Sequence, residues 1–537
     1  MKLSLRKKAV NQKIMERRKI LEENLILNYI NYNNLNLDPY KEFLKELSSL
    51  KSGNEKLLFM TNYLENNVKI IDIFSNLFYQ ENNANLLNDL DKYFLLYIAS
   101  ILDKNIMKRY FPDKMIKENN YIYCKDSPLY MSHKLFEIFF SILFNVKIKD
   151  VQVTIINLML SYSEYSNDFI EYCLNETKYI NKLYQITYID NKEIIAQVGY
   201  IFDNIIDNKK CDKNKLEDIL KETPLIQRCK ELISVNNFNN TLKSSYLELL
   251  LSIINKYKST DYKEFKDCIY IFSNILSSNS KNEEILNLIL KINVDLSYDE
   301  SIGEEIIDKG LGYIFFNILS LPNLQREFTI DLLKIFSNVF YSDKNILYFF
   351  EHFEEKFLSV FIRIINTYMH TANEKDSILI KDLLFCLSNL ASGPCNVQTI
   401  ISRSDIPILV LQTMKIRNDN EIYFEGINFF HNLICNCNKE TFANVSELHP
   451  FKLYSKALEK TGEPKYIKLY LVALKTLIQK NGEVYHTQEN LKNEFYICCI
   501  KRKLEYLSSY EDKDISKNAM QILNFFDDKM KTDLIFI

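Results

Sequence analysis

A long succession of apolar helical stretches constrains the fold of this chain more than any other feature. Between about residues 55 and 480, stretches of roughly 10 to 16 residues alternate with short polar breaks, and apolar residues recur within them at i, i+3, i+4 and i+7. Examples are IIAQVGYIFDNII (194–206), FTIDLLKIFSNVF (328–340) and IKLYLVALKTLI (467–478). Few charges interrupt these stretches, so each helix buries more than one face. Many such helices with short connections predict an all-α solenoid.

The composition excludes several other classes of protein. Glycine and proline number only nine each in 537 residues, which argues against β-rich folds and flexible linkers. The eleven cysteines form no CxxC pair, so we expect reduced thiols in an intracellular compartment. No apolar run reaches the length of a transmembrane helix, and the N-terminus lacks the apolar region of a secretory signal.

A short motif that ends in Asn recurs along the chain. It reads VTIIN (153–157), YIFDN (200–204), KIFSN (334–338), FCLSN (385–389) and NFFHN (428–432), with Asn-to-Asn intervals of 47, 134, 51 and 43 residues. If the long interval holds three repeats, the period matches armadillo or HEAT units. We then expect the two intervening repeats at 246–257, which contains Asn255, and at 284–296. A further match at 271–274 is out of phase, and we expect it on a second helix.

The first twenty residues form a basic arm ahead of an acidic body. They hold eight Lys or Arg residues and one acid, Glu16, in a chain whose total charge is −3. A basic helix with so few acids suits docking on an acidic surface. The arm also fits a solvated tail or an organelle presequence.

Two regions together give this chain a family likeness. Residues 381–434 read KDLLFCLSNLASGPCNVQTIISRSDIPILVLQTMKIRNDNEIYFEGINFFHNLI, and residues 4–19 read SLRKKAVNQKIMERRK. The first follows the repeat pattern of importin-α, and the second resembles that family's importin-β-binding segment. The chain therefore resembles the importin-α family of armadillo-repeat nuclear import adaptors.

The resemblance implies an all-α, right-handed superhelical armadillo solenoid of about nine to ten units. It implies an importin-β-binding helix at 1–30, armadillo repeats at 31–482 and a C-terminal helical cap at 483–537. The implied partners are importin-β, cargo proteins with basic nuclear localisation signals, and an export receptor at the C-terminal repeats. No cofactor, membrane or direct nucleic-acid partner is expected, and the protein would shuttle between cytoplasm and nucleus. The importin-β contacts carried over by position are Leu5, Arg6, Lys7, Lys13, Arg17 and Arg18.

The resemblance also implies a peptide-binding groove along the third helix of each repeat. In the family, Asn amides bond the main chain of an extended Lys/Arg-rich segment, since an amide supplies both a donor and an acceptor. Trp residues one turn earlier form slots for the Lys and Arg stems, whose charges reach acidic residues. Phe385 and Asn428 stand at two of the Trp positions, and only Phe385 keeps a ring. The C-terminal half of the groove comprises Lys334, Asn338, Asp382, Phe385, Asn389, Glu425 and Asn432.

The N-terminal half of the groove departs further from the family pattern. Its Trp positions hold Val153, Tyr200 and Leu251, and Asn208 stands where the family has Asp. Loss of the stacking slots argues against high-affinity binding of basic signals there. The residues carried over to this half are Asp150, Asn157, Gln197, Tyr200, Asn204 and Asn255.

Other interpretations of the same residues remain open. Each Asn also fits a structural role, as an amide satisfied by backbone at a helix end. His431, Cys435 and Cys437 could hold a metal, but no fourth ligand is evident. Motifs of metalloproteases, serine hydrolases and NTPases are absent from the sequence, so we expect no enzyme. The competing function is an armadillo scaffold that binds other proteins without recognising nuclear signals.

Overall fold

A computed structural model describes residues 139–140, 143–144, 149–165, 167–235, 239–257, 262–279, 282–371, 373–417, 419–435, 437–485 and 500–527. The predicted importin-β-binding segment and the first predicted repeats lie outside the described residues. The chain divides into two compact units, Met1–Lys258 (unit 1) and Ser259–Ile537 (unit 2).

The described part of unit 1 is built from triplets of helices in which two shorter helices precede a longer third helix. The third helices α1, α4 and α7 pack side by side in chain order. The helices are α1 (Lys149–Tyr165), α2 (Asn167–Asn175), α3 (Thr177–Ile186), α4 (Lys192–Asp207), α5 (Lys213–Glu222), α6 (Leu225–Ser234) and α7 (Asn240–Tyr257).

Unit 2 repeats the same order. Its third helices α9, α12, α14, α17, α20 and α22 pack on one another in chain order. After a 3₁₀ turn at Lys263–Phe265, the helices are α8 (Lys266–Asn279), α9 (Glu283–Leu296), α10 (Glu300–Asp308), α11 (Leu311–Leu319), α12 (Arg326–Val339), α13 (Asp343–Tyr368), α14 (Glu374–Ala391), α15 (Cys395–Arg403), α16 (Ile406–Arg417), α17 (Asn420–Cys435), α18 (Lys439–Ser446), α19 (Pro450–Lys460), α20 (Pro464–Tyr485), α21 (Lys501–Ser508) and α22 (Lys513–Asp527).

Helix α4 shows how the sequence specifies a third helix. The Asn191 side chain caps its start by accepting a hydrogen bond from the Glu193 backbone N–H at 3.1 Å. Gly199 lies where α7 comes closest, because a Cβ there would stand 2.9 Å from the Ser245 hydroxyl and 3.1 Å from a Tyr246 ring carbon. The Tyr246 hydroxyl donates to the Ile195 carbonyl at 3.1 Å, which ties the two helices together. Glycine at this position therefore permits the close packing of neighbouring repeats.

Helix α13 is a variation that the periodicity of the sequence does not predict. It runs for 26 residues where other triplets have two separate helices. The preceding triplet breaks at Gly310, whose φ of 75° lies in the left-handed region, but α13 contains no Gly or Pro to break it. Its buried Phe349 and Phe357 pack around Phe316, with ring centroids 6.0 and 5.3 Å away. The aromatic core holds the fused helix in place.

The structure confirms the predicted all-α solenoid and the phase of its repeats. The predicted helices at 194–206, 328–340 and 467–478 fall on α4, α12 and α20, which are all third helices. The long interval between Asn motifs contains α7 and α9, as predicted, and residues 271–274 lie on the second helix α8. Among the described residues, no helix combines the length and the hydrophobicity that a transmembrane span requires.

Candidate functional site

Three successive third helices of unit 2 bring the predicted C-terminal site residues together. Asn338 on α12, Asn389 on α14 and Asn432 on α17 occupy equivalent positions, and we name them the amide row. Their side chains are half-buried. Because α12 packs on α14 and α14 on α17, the three amides follow one another across a single face.

Two further rows lie on the same face. Seven residues before each Asn, or about two helical turns, stand Asp331, Asp382 and Glu425, which we name the acidic row. Four residues before each Asn stand Lys334, Phe385 and Asn428, the middle row. Positions at i, i+3 and i+7 share one side of a helix, so each third helix contributes one residue to every row.

Each amide of the row donates a side-chain N–H hydrogen bond to a serine near the C-terminal end of the preceding third helix. Asn338 Nδ2 lies 2.9 Å from Ser297 Oγ, and Asn389 Nδ2 lies 2.8 Å from the Ser337 carbonyl oxygen. Asn432 Nδ2 contacts both the Ser388 carbonyl and the Ser388 hydroxyl at 3.0 Å. These bonds reach polar groups near the C-terminal ends of the preceding third helices. The amide row therefore clamps neighbouring repeats together.

The acidic row is held in a partly desolvated position. Burial raises the pKa of the Asp331, Asp382 and Glu425 carboxyls above their ordinary values. Asp382 is central, because its charge adds to the rise at both Asp331 and Glu425. Its Oδ2 atom is buried and has no hydrogen-bond partner in the described part of the chain. A cation supplied from outside would relieve this cost.

The lysines near the acidic row compensate its charge only in part. The positive charge of Lys334 lowers the pKa of Asp331 and Asp382 and so offsets part of the effect of burial. Lys334 nevertheless forms no ion pair within the described residues. Lys381 donates to Glu421 at 2.6 Å, on the rim of the face. In the middle row, Phe385 is 43% exposed, which leaves its ring able to stack on a cationic stem. Asn428 has no such ring, and its amide lies 3.4 Å from the Glu425 carboxylate.

Unit 1 carries the amide positions on α1, α4 and α7 with different surroundings. Asn204 Nδ2 donates to Ser163 Oγ at 2.9 Å, the same clamp as in unit 2. Asn157 and Asn255 are exposed, Tyr200 is half-buried, and Asp150 lies on α1. The described third helices of unit 1 therefore keep the amides that the resemblance implies.

The charges beside these amides differ from those in unit 2. Gln197 takes the central position of the acidic row and leaves its buried Oε1 without a hydrogen bond in the described residues. Lys256 donates to the Asn208 carbonyl at 2.9 Å, so a cation lies beside the position where the resembled family has Asp. The Asp203 carboxylate accepts a hydrogen bond from the Ser252 hydroxyl on α7 at 2.6 Å. Asp150 and Glu248 hold the outer positions of the row, so this face of unit 1 has one acid fewer than that of unit 2.

Sequence reasoning missed Asp331. It allowed each Asn a structural role as an amide bonded to backbone, as Asn389 and Asn432 are, but did not identify the bond to the preceding repeat. Asp331 stands three residues before Lys334, as Asp382 and Glu425 stand three residues before Phe385 and Asn428. That shared offset was a signal available in the sequence. Ser337 and Ser388 directly precede Asn338 and Asn389 in the sequence, but only the packing of the helices shows that they accept a hydrogen bond from the next amide.

Comparison with known proteins gives a structural likeness only. No protein-family model matches the chain, and no curated protein matches it. An engineered protein superposes with a TM-score of 0.61 at 12% identity, covering 85% of this chain and 98% of its own. A structure from work on a phosphorylation switch in the interaction between cadherin and beta-catenin has a TM-score of 0.59 at 12% identity, covering 85% and 80%. With its repeated triplets of helices, the chain has the armadillo-repeat solenoid fold.

Proposed function

We propose that the third-helix face of unit 2 binds an extended Lys/Arg-rich peptide segment. The acidic row is the observation that carries the proposal. Asp331, Asp382 and Glu425 stand on three successive helices, and burial raises the pKa of each. A protein that holds carboxylates in this way without matching ion pairs gains free energy when a cationic ligand supplies the partners.

The geometry suits an extended ligand because each helix contributes one residue to every row. Side chains alternate along an extended segment, so every second residue faces the same way. A Lys or Arg that reaches the acidic row forms charge-assisted hydrogen bonds, and its aliphatic stem lies along the exposed ring of Phe385. The amide row then lies beside the main chain of the segment.

Under this proposal the chain is a nuclear import adaptor and not an enzyme. The basic segment 1–30 docks on importin-β, cargo proteins supply the basic signal, and an export receptor binds the C-terminal repeats. The protein shuttles between cytoplasm and nucleus. Support comes from the sequence, in which the importin-β-binding pattern at 4–19 precedes the repeats in the order of the resembled family.

A second candidate function is a scaffold that binds a partner protein without recognising a nuclear signal. The observation in its favour is the face of unit 1, where Lys256 donates to the Asn208 carbonyl and the neutral Gln197 stands at the central position of the acidic row. Among the structural neighbours, beta-catenin interacts with cadherin. As a scaffold, this chain would likewise bind a partner protein.

Isothermal titration calorimetry of the full chain with a bipartite Lys/Arg peptide separates the two candidates. We expect micromolar or tighter binding, and Asp382→Asn weakens it by on the order of tenfold, because a charge-assisted hydrogen bond is lost. Glu459→Gln is the matched control, since Glu459 is an exposed acid on α19 away from the three rows. A folded protein that does not bind the peptide, or an Asp382→Asn variant with unchanged affinity, would favour the scaffold.

A further inference from the structure

Two exposed tyrosines stand at equivalent places in successive repeats of unit 2. Tyr298 follows α9, Tyr341 follows α12, and these two helices pack on each other. The Tyr298 backbone N–H donates to the Asp295 carbonyl at 3.4 Å, and the Tyr341 backbone N–H donates to the Asn338 carbonyl at 3.3 Å. Each tyrosine therefore stands one turn after the amide position of its helix, and Asp295 takes that position in α9.

The contact between the two repeats brings both tyrosines to one border. Asn338 Nδ2 lies 2.9 Å from Ser297 Oγ, and Ser297 directly precedes Tyr298. Tyr341 stands three residues after Asn338, so the two residues share one side of the helical turn. Both tyrosines thus lie where the C-terminal ends of α9 and α12 meet.

The rings of this pair are available to a ligand. Tyr298 is 71% exposed and Tyr341 is 78% exposed. Neither side chain makes a hydrogen bond or a ring contact within the part of the chain that the structure describes. The equivalent positions on α14 and α17 hold Ser392 and Cys435, so these two repeats lack the aromatic ring. Tyrosine is enriched among the residues that dominate binding energy at interfaces, and here two of them occur in register.

The charge beside the tyrosine pair favours a cation. Asp295 is half-buried and stands one turn before Tyr298. Burial raises the pKa of Asp331 on α12, and the charge of Asp295 adds to that rise, so the two acids lie within electrostatic reach of each other. Lys291 and Lys334 lower the pKa of Asp331, but each stands seven residues before a tyrosine of the pair, about two helical turns away.

We propose that Tyr298, Tyr341 and Asp295 form a subsite for one Lys or Arg side chain of the bound segment, separate from the acidic row. This inference rests on the proposed peptide-binding function and adds a position to it. The two rings take the aliphatic stem between them, and the carboxylate accepts a charge-assisted hydrogen bond.

The subsite sets a rule for the sequence of the ligand. The acidic row stands seven residues before the amide positions, and the tyrosines stand three residues after them. The two sets therefore lie on opposite sides of a segment that follows the amide row. Because successive side chains of an extended segment point to opposite sides, the residue in the subsite alternates with those that reach the acidic row. The favoured ligand carries cations in both phases.

Two synthetic octapeptides test this rule by calorimetry with the full chain at one ionic strength. One alternates Lys and Ser, so only one phase is cationic, and the other consists of Lys alone. In the natural protein we expect the Lys-only peptide to bind more tightly. Combining Tyr298→Ser with Tyr341→Ser lowers the ratio of the two Kd values by about fivefold, because one cation loses its ring contacts. Affinity for the Lys/Ser peptide changes by less than about twofold.

A ratio that the tyrosine substitutions leave unchanged would overturn the inference. Equal losses for both peptides would also overturn it, because the contact would then not depend on phase. Either result leaves the proposed function standing, whereas failure of both peptides to bind the natural protein would refute the function and the inference together.

Matched variants assign the effect to the subsite. Tyr270→Ser combined with Tyr506→Ser removes two exposed tyrosines from α8 and α21 and leaves the ratio unchanged. Asp295→Asn keeps both rings and lowers the ratio as well, because it removes the charge. Circular dichroism confirms that the variants fold. A loss of the same size in the Tyr270→Ser, Tyr506→Ser protein would contradict the assignment, and an Asp295→Asn protein with the natural ratio would contradict the role of the carboxylate.

Discussion

The third-helix faces of units 1 and 2 share their amides and differ in the charges around them. In unit 2, carboxylates precede all three amides by two turns, and burial raises the pKa of each. In unit 1, the neutral Gln197 stands at the central position, and Lys256 donates to the Asn208 carbonyl. The same Asn-to-Ser clamp occurs in both units.

This difference shows which part of the repeat pattern carries information about a ligand. Since Asn204 and Asn338 make the same type of bond to the preceding repeat, a recurring Asn is explained by stability alone. The acidic row has no comparable structural reason, because ionised carboxylates in a partly buried position cost free energy. The charges therefore support the proposed binding face more specifically than the amides do.

The largest expected effect comes from neutralising two acids of unit 2 together. Asp382→Asn combined with Glu425→Gln removes two charge-assisted contacts and weakens binding of a Lys/Arg peptide by on the order of a hundredfold. Gln197→Glu in unit 1 makes the opposite change, because it adds an acid at the equivalent position instead of removing one. Calorimetry on both proteins measures the contrast. A double variant that binds as tightly as the parent would remove the distinction between the two faces.

The pH dependence of binding is the next expected effect. A bound cation favours the ionised carboxyl and lowers its raised pKa, so binding releases protons. Affinity should therefore fall as the pH drops through the raised pKa values, while Lys and Arg stay charged. Titrations between about pH 7 and pH 4.5 measure this fall, and Asp382→Asn makes it shallower. An affinity that stays constant over the range would show that these acids do not contact the ligand.

Removing one amide from each unit separates clamping from binding. Asn389→Ala and Asn204→Ala each lose a hydrogen bond to the preceding repeat, so each lowers the free energy of unfolding by about 1 kcal/mol. Only Asn389→Ala is expected to weaken peptide binding as well. Urea denaturation and calorimetry on the two proteins measure the two quantities. Equal losses of affinity would mean that both faces bind the peptide.

The smallest expected effect comes from enlarging an aromatic ring. Phe385→Trp provides a better partner for a cationic stem and strengthens peptide binding by about threefold. Tyr200→Trp makes a matched change on the half-buried position of unit 1 and leaves the affinity unchanged. Fluorescence of the single introduced Trp reports the contact directly, since the natural chain contains none. A fluorescence response to the peptide in the Tyr200→Trp protein but not in the Phe385→Trp protein would reverse the comparison.

Much of the fold was predictable because the repeats are periodic. The apolar spacing located the third helices, and the Asn motif set their phase, including the intervening helices α7 and α9. The fused helix α13 was not predictable. The absence of Gly and Pro permits one long helix, but the aromatic core of α11, α12 and α13 that stabilises it forms only when the helices pack. The positions of α21 and α22 agree with a helical C-terminal segment, but the predicted domain boundaries stay predictions.

The sequence allowed the residues of the candidate site to be predicted, but not the hydrogen bonds that these residues make. Position along the repeat located Asp382, Asn389 and Glu425, and the same offset would have located Asp331. The clamp to Ser337 was not predictable, because it joins residues 52 positions apart through a contact between helices. The burial that raises the pKa of the acids is likewise a property of packing. The importin-β contacts of the basic arm lie outside the described residues and stay a prediction.

Photo-crosslinking tests the central claim most directly. A Lys/Arg peptide that carries a benzophenone side chain is bound to the full chain, irradiated and mapped by mass spectrometry. We expect the crosslinks to cluster on α12, α14 and α17, near Asp382 and Asn389, and to disappear when unlabelled peptide is added in excess. Crosslinks concentrated on α1, α4 and α7, or on first and second helices, would contradict the account.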